Sequence, residues 1–392
     1  MQSAKVLEES AKVRRQSAKV RRQSAKVRTV RWCAAAVGLV MAGAVLAQPL
    51  RPRARDLGLA PGTFAPGAPN AITDVPGVLV GHTTLSTQPT GVTAILPHGG
   101  NLFQQKVPGA VFVGNAFGKL AGSTQVEELG TIETPIVLTN TLAVGTAMDA
   151  VVRWTLAQSG NESVRSVNAV VGETNDGTLN DIRALPVTRD HVLAAIAAAK
   201  TGAVEEGAVG AGAGTIAFGW KGGIGTASRK VGADTVGVLV QTNFGGKLTM
   251  GGVPVWQSLT PNAGRDPLGT ADGSCMIVVA TDAPVDAKAL KRLAARAVFA
   301  LARTGSTYSN GSGDFAIAFS TFAGNRVTTA TGPQARTTLP TDDLSRLFEA
   351  TLDATEEAVY NSLLRATDTT ANGRTVRAIP IDALTTLLKG RR

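Results

Sequence analysis

The sequence is poor in the residues that most often carry catalysis, with three histidines, two cysteines and two tyrosines in 392 residues. His82, His98 and His191 show no HExxH spacing, and Cys33 and Cys275 cannot supply a cysteine-rich ligand set, which argues against a zinc centre. No Gly-x-Ser-x-Gly elbow occurs, which argues against an α/β-hydrolase. Aromatic residues make up only 4%, and 44 glycines without a collagen period point to a tightly turned, strand-containing chain rather than a helical bundle. An apolar fraction of 44% is enough to build a core.

The net charge of +10 suggests a nucleic-acid partner until its location is noted. Residues 1–47 hold ten Lys/Arg against Glu8 and Glu9, leaving 29 basic and 27 acidic residues from Gln48 onward. The body is therefore close to neutral, and a nucleic-acid partner is not expected.

Within this leader Ser-Ala-Lys-Val recurs every seven residues from Ser3, Ser10, Ser17 and Ser24. Its units carry too little apolar surface for a coiled coil, and a duplicated coding segment or a misplaced start explains it better. An apolar run from Trp32 to Ala47 follows, ending Val45-Leu46-Ala47 before Gln48. A basic stretch, a short apolar core and small residues at the end are the layout of a secretory signal, which predicts a periplasmic or secreted protein. The alternative is an uncleaved, membrane-anchoring signal. Cleavage would leave Cys275 as the sole cysteine, so no internal disulfide is expected.

Residues 48–70 are rich in Pro, Gly and Arg and read as an extended lead-in, with the main domain at 71–392. Strand-like runs are expected at 75–84, 91–97, 109–115, 135–141, 166–174, 215–223, 234–244, 275–283 and 315–321. Helical periodicity is expected at 141–158, 189–200, 287–303 and 342–365. Several strands are apolar on both faces, so both faces should be covered, as in a layered α/β sandwich.

Four segments bear on chemistry. The run Gly210-Ala211-Gly212-Ala213-Gly214 follows a helix and precedes a strand, the wrong order for a dinucleotide loop, and reads as tight backbone packing. Gly273-Ser274 opens an apolar strand, where a serine can attack its own preceding carbonyl and become a new N-terminus. The freed α-amine, with an ordinary pKa of roughly 7.7–8.0, would then act as base for its own hydroxyl and replace the missing histidine. An ordinary Gly-Ser turn is the plain alternative. Asn310-Gly311-Ser312-Gly313-Asp314 reads by itself as a turn. Glu173-Thr174-Asn175-Asp176-Gly177 with Asp181 gathers three carboxylates, most simply a solvated turn with a helix cap.

Taken in order, these segments resemble the DmpA-type L-aminopeptidase/D-Ala-esterase and β-peptidyl aminopeptidase family of self-processing serine aminopeptidases. The resemblance rests on 70–84, 91–97, 135–145, 170–182, 205–215, 223–231, 236–246, 272–286, 301–306 and 310–321, nearly the whole mature chain. It implies a four-layer αββα sandwich of the N-terminal-nucleophile type, a single domain cut between Gly273 and Ser274 into two chains. By position, Ser274 matches the nucleophile and Asn243 the oxyanion amide. Ser312 and Asp314 match the hydroxyl and carboxylate that hold the new amine, and Glu173 the carboxylate that pairs with the substrate's free amine. The family often has tyrosine two residues after that glutamate; Asn175 stands here and, as an amide, can also donate. Cys275 reads as a buried strand residue rather than a second nucleophile. The implied substrates are small peptides, amides or esters with a free N-terminal amine, carrying L-residues, D-Ala or β-amino acids. No cofactor is implied, and the assembly is expected to be a homo-oligomer of αβ protomers. Two rival readings are an acyltransferase like the ornithine acetyltransferases and an uncleaved periplasmic binding protein.

Overall fold

In this computed structural model, residues 50–261, 273–328 and 330–390 are described. The leader and Ala271-Asp272, just before the expected scission point, lie outside the described residues.

The principal strands, in chain order, are β1 Leu79–Thr84, β2 Gly91–Leu96, β3 Gln105–Ala116, β4 Leu120–Ala121, β5 Ile136–Asn140, β6 Val170–Thr174, β7 Ile224–Val231, β8 Asp234–Asn243, β9 Ser274–Thr281 and β10 Gly313–Ser320. The larger helices are α1 Val144–Leu156, α2 Arg189–Ala197, α3 Ala287–Arg303 and α4 Leu344–Leu364. One sheet runs β1-β2-β5-β6-β4; the other runs β7-β8-β9-β10-β3, with two-residue strands added to β3. Among the described residues, β5–β6 and β9–β10 are the pairs that run parallel.

Three apolar layers hold these elements together. In β9, Cys275, Ile277 and Val279 share a cluster with Leu290, Leu293, Ala297 and Leu363 of α3 and α4. The alternate residues Met276, Val278 and Ala280 join Ile95, Ile136, Leu138 and Val170 from the small sheet. The small sheet's other face, including Val92, Ala94, Val137 and Val171, packs on Ala147, Val151, Val192 and Ala195 of α1 and α2. The period of two sends alternate side chains of one strand into two cores, so a strand covered on both faces must be apolar throughout. The order is therefore helix, sheet, sheet, helix, the expected four-layer αββα sandwich. At about 1.5–3 kcal/mol for each large apolar side chain fully buried, these layers are the main source of stability.

Local signals explain the helix ends. Asp286 accepts the Ala289 N–H at 2.8 Å and starts α3, whose buried residues recur every three or four positions. Gly305, at φ 95°, ends it by letting the Ser306 N–H return to the Leu301 carbonyl at 3.1 Å. The lead-in, described from Leu50, is bound into the fold. Ala54 N–H donates to Asn361 Oδ1 at 2.9 Å, and buried Glu357 takes Arg55, Asn70 and Arg229 together. Among the described residues no helix is long and apolar enough to cross a membrane.

One expectation is corrected, and one strand was not expected. The run 215–223 is not one strand but two short ones, Ile216–Ala217 and Trp220–Lys221, turned at Phe218 and Gly219 with positive φ. Strand β7 had no apolar alternation to announce it, because its buried positions include Ser228 and Arg229, paired with the carboxylates of Asp74 and Glu357 instead of apolar partners.

Candidate active site

The site forms where the central strands of the large sheet begin and end. Asn243 closes β8 and Ser274 opens β9, and the antiparallel ladder sets them directly opposite. On the other side, the parallel register sets Ser274 beside Gly313. Three segments far apart in sequence thus meet at one buried serine.

Gly313 donates its N–H to the Gly273 carbonyl at 3.0 Å and lies 3.4 Å from Ser274 Oγ through the same nitrogen. A Cβ at Gly313 would stand 2.7 Å from the Phe117 carbonyl, which explains a glycine between Ser312 and Asp314. The Ser312 hydroxyl donates to Asp314 Oδ2 at 2.9 Å, while Asp314 Oδ1 is buried with no partner among the described residues. Burial pushes the Asp314 carboxyl up to about 6, with the Ser312 hydroxyl pulling the other way. The expected turn at 310–314 is thus half strand: Gly313 and Asp314 open β10.

Asn243 is held by both ends of its amide. Its Oδ1 accepts the Ile216 N–H at 3.0 Å, and its Nδ2 donates to the Asn175 carbonyl at 3.1 Å, with a second N–H remaining. Asn175 therefore touches Asn243 through its backbone. Its own Oδ1 accepts from Gly177 N–H at 2.9 Å in a local turn, and the residue is exposed.

Glu173 arrives from the small sheet, at the end of β6. A Cβ at Gly118 would stand 3.1 Å from Glu173 Oε1 and 3.7 Å from Gly313 Cα, so the carboxylate and the Gly313 turn flank one backbone position. The expectation of a solvated acidic turn fails for two of its three carboxylates. Glu173 is buried, and so is Asp176, whose carboxyl burial raises to about 6 against hydrogen bonds from Thr90 and Asn180.

Sequence reasoning missed Lys221. It is fully buried, donates to the carbonyls of Gly212, Thr215 and Gly222 at 2.8–3.0 Å, and is pushed down to about 7 by burial. These bonds fix the loop whose Ile216 orients Asn243. A lysine inside an apolar run was the available signal. The glycine-rich run 210–214 is tight packing, since a Cβ at Gly212 would lie 2.5 Å from Ile224 N. Cys275 is buried and its thiol raised well above the ordinary range by burial and by Asp314, so it is no ready nucleophile. No histidine reaches Ser274: His82 bonds Thr93, His98 bonds the Gln105 carbonyl and Gly100 N–H, and His191 caps α2.

A four-layer sandwich with a buried serine at the head of a central strand defines a hydrolase of the N-terminal-nucleophile fold. Residues 70–376 match the model of peptidase family S58, and the chain belongs to that family. It is 42% identical over 398 aligned residues to the β-peptidyl aminopeptidase BapA of Sphingosinicella microcystinivorans, covering 92% of this chain and 97% of that protein. Among solved structures it is similar to the L-aminopeptidase D-Ala-esterase/amidase of Ochrobactrum anthropi, described as a prototype of the serine aminopeptidases and a variant of the Ntn-hydrolase fold. That match has 38% identity and a TM-score of 0.79 and covers 87% of this chain and 99% of that one. A Burkholderia sp. β-aminopeptidase matches with 38% identity and a TM-score of 0.79, over 86% of this chain and 99% of that one. The enzyme is a serine aminopeptidase; the acyltransferase and binding-protein readings find no support in these comparisons.

Proposed function

We propose that the enzyme matures by cutting itself between Gly273 and Ser274 and then releases N-terminal residues from small peptides, amides or esters. The observation that carries this reading is the shared Gly313 N–H, which bonds the Gly273 carbonyl at 3.0 Å and lies 3.4 Å from Ser274 Oγ. Electrophile and nucleophile of the scission belong to adjacent residues and are held by one donor.

In the first stage Ser274 Oγ attacks the Gly273 carbonyl, the hydroxyl proton passes to the Ser274 nitrogen, and the C–N bond breaks to leave an ester. The amine of Ser274 is free from that point, and water hydrolyses the ester to give the Gly273 carboxylate and restore the Ser274 hydroxyl. In the second stage the amine takes the proton from its own Oγ as the oxygen attacks a substrate carbonyl. The Asn243 amide donates to the resulting oxyanion, a contact typically worth roughly 3–4 kcal/mol of barrier. The protonated amine gives its proton to the leaving group, and water releases the acyl residue. The unpartnered Asp314 oxygen, one register step from Ser274, supports a role for Asp314 and Ser312 in holding the new ammonium. Glu173 would take the substrate's ammonium and confine the enzyme to free N-termini.

The names of the relatives favour N-terminal β-amino acids, with L-residues and D-Ala derivatives as the other classes to assay. The leader supports export to the periplasm with a mature start at Gln48, and the family resemblance supports an oligomer of αβ protomers. Turnover of L-Ala, D-Ala and β-Ala p-nitroanilides tests the reading. β-Ala should be released and its N-acetyl derivative left intact; hydrolysis of both alike would contradict it.

A further inference from the structure

Between β3 and β4, Phe117-Gly118-Lys119 bridges the two halves of the site. Phe117 N–H donates to the Ser312 carbonyl at 3.1 Å, and Lys119 N–H donates to Glu173 Oε1 at 2.9 Å. The Lys119 ammonium lies 3.4 Å from that same oxygen and donates to Thr141 Oγ1 at 2.6 Å. Glu173 is buried, whereas the Lys119 side chain is 54% exposed. The carboxylate thus has one fixed donor, a backbone N–H, and one movable cation on a flexible stem at the edge of the site.

We propose that Lys119 is a binding-tuning residue that occupies Glu173 in the empty enzyme and must yield to the substrate's ammonium. The inference rests on Glu173 taking the substrate amine. Two ammonium groups at one carboxylate oxygen repel each other, and a half-exposed lysine loses little by swinging into water. Lys119 is then a built-in competitor that weakens substrate binding without touching Ser274 or Asn243. A lysine that merely held Glu173 in place would have the opposite effect, because its removal would loosen the carboxylate and weaken binding.

The sign of the change in KM separates these cases. Lys119→Met keeps the backbone N–H on Glu173, so the carboxylate stays anchored. With β-Ala p-nitroanilide, K119M should lower KM by roughly two- to fivefold and leave kcat within about 1.5-fold. Lys119→Arg should keep the parent's KM, and the K119M effect should vanish in a Glu173→Gln background, which alone should raise KM. An unchanged or higher KM in K119M, alongside a raised KM in E173Q, would overturn the competitor role and leave the Glu173 reading standing. An unchanged KM in E173Q would overturn both.

Discussion

Gly313 and Gly273, forty positions apart, are joined by an N–H···O bond of 3.0 Å, so the carbonyl preceding Ser274 is fixed in the same ladder that builds the core. Strand pairing sets the geometry at the proposed scission bond. The site therefore inherits the rigidity of β9, which is buried along its whole length.

The oxyanion role makes a demanding claim on Asn243. Asn243→Asp retains an oxygen to accept from Ile216 but removes the N–H donor, so the fold should persist while chemistry slows. p-Nitroanilide turnover of the processed enzyme should fall by about 10²–10³-fold. Following turnover by absorbance, normalised to the cut fraction by mass, checks this, and a rate within fivefold of the parent would contradict it.

Asn175 tests the division between backbone and side chain. Its carbonyl holds Asn243, while its own amide serves a local turn. Asn175→Ala keeps the carbonyl, so kcat should stay within about threefold of the parent. A loss of a hundredfold would instead put the side-chain amide at the oxyanion.

Asp314 should show a function costly to stability. Its carboxyl is held near 6, above the unfolded range, so the native state favours the protonated form. The penalty is absent below about pH 4, grows as pH rises toward 6 and is complete above it. In an uncut Ser274→Ala background, Asp314→Asn should stabilise the protein by about 1–2 kcal/mol at pH 7–8, with no gain at pH 4. In the parent, where Asp314 would hold the new ammonium, the same change should lower p-nitroanilide turnover. Thermal denaturation across this pH range checks the first claim, and an equal gain at every pH would refute it.

The layered architecture was legible because burial leaves a direct imprint: β9 reads Ser-Cys-Met-Ile-Val-Val-Ala-Thr, with apolar residues on both faces, and α3 repeats its apolar face every three to four residues. The buried charges were not. Arg229 on β7 and Lys221 in the short strand before it are polar by type, and only their partners make burial tolerable, Glu357 for one and three carbonyls for the other. Spacing alone likewise gave no hint that Glu173, on the small sheet, approaches the Gly313 turn on the large one. That proximity runs through Gly118, where a missing Cβ leaves the room. Ser274 itself carried little signal as a Gly-Ser pair; its place opposite Asn243 and beside Gly313 is a property of register.

The most direct measurement is the intact mass of purified parent protein and of Ser274→Ala. The parent should consist of two chains, the smaller of 119 residues beginning Ser-Cys-Met-Ile-Val. S274A should remain one chain and release no product from β-Ala p-nitroanilide. An unbroken parent chain with full turnover, or normal turnover by S274A, would contradict the account.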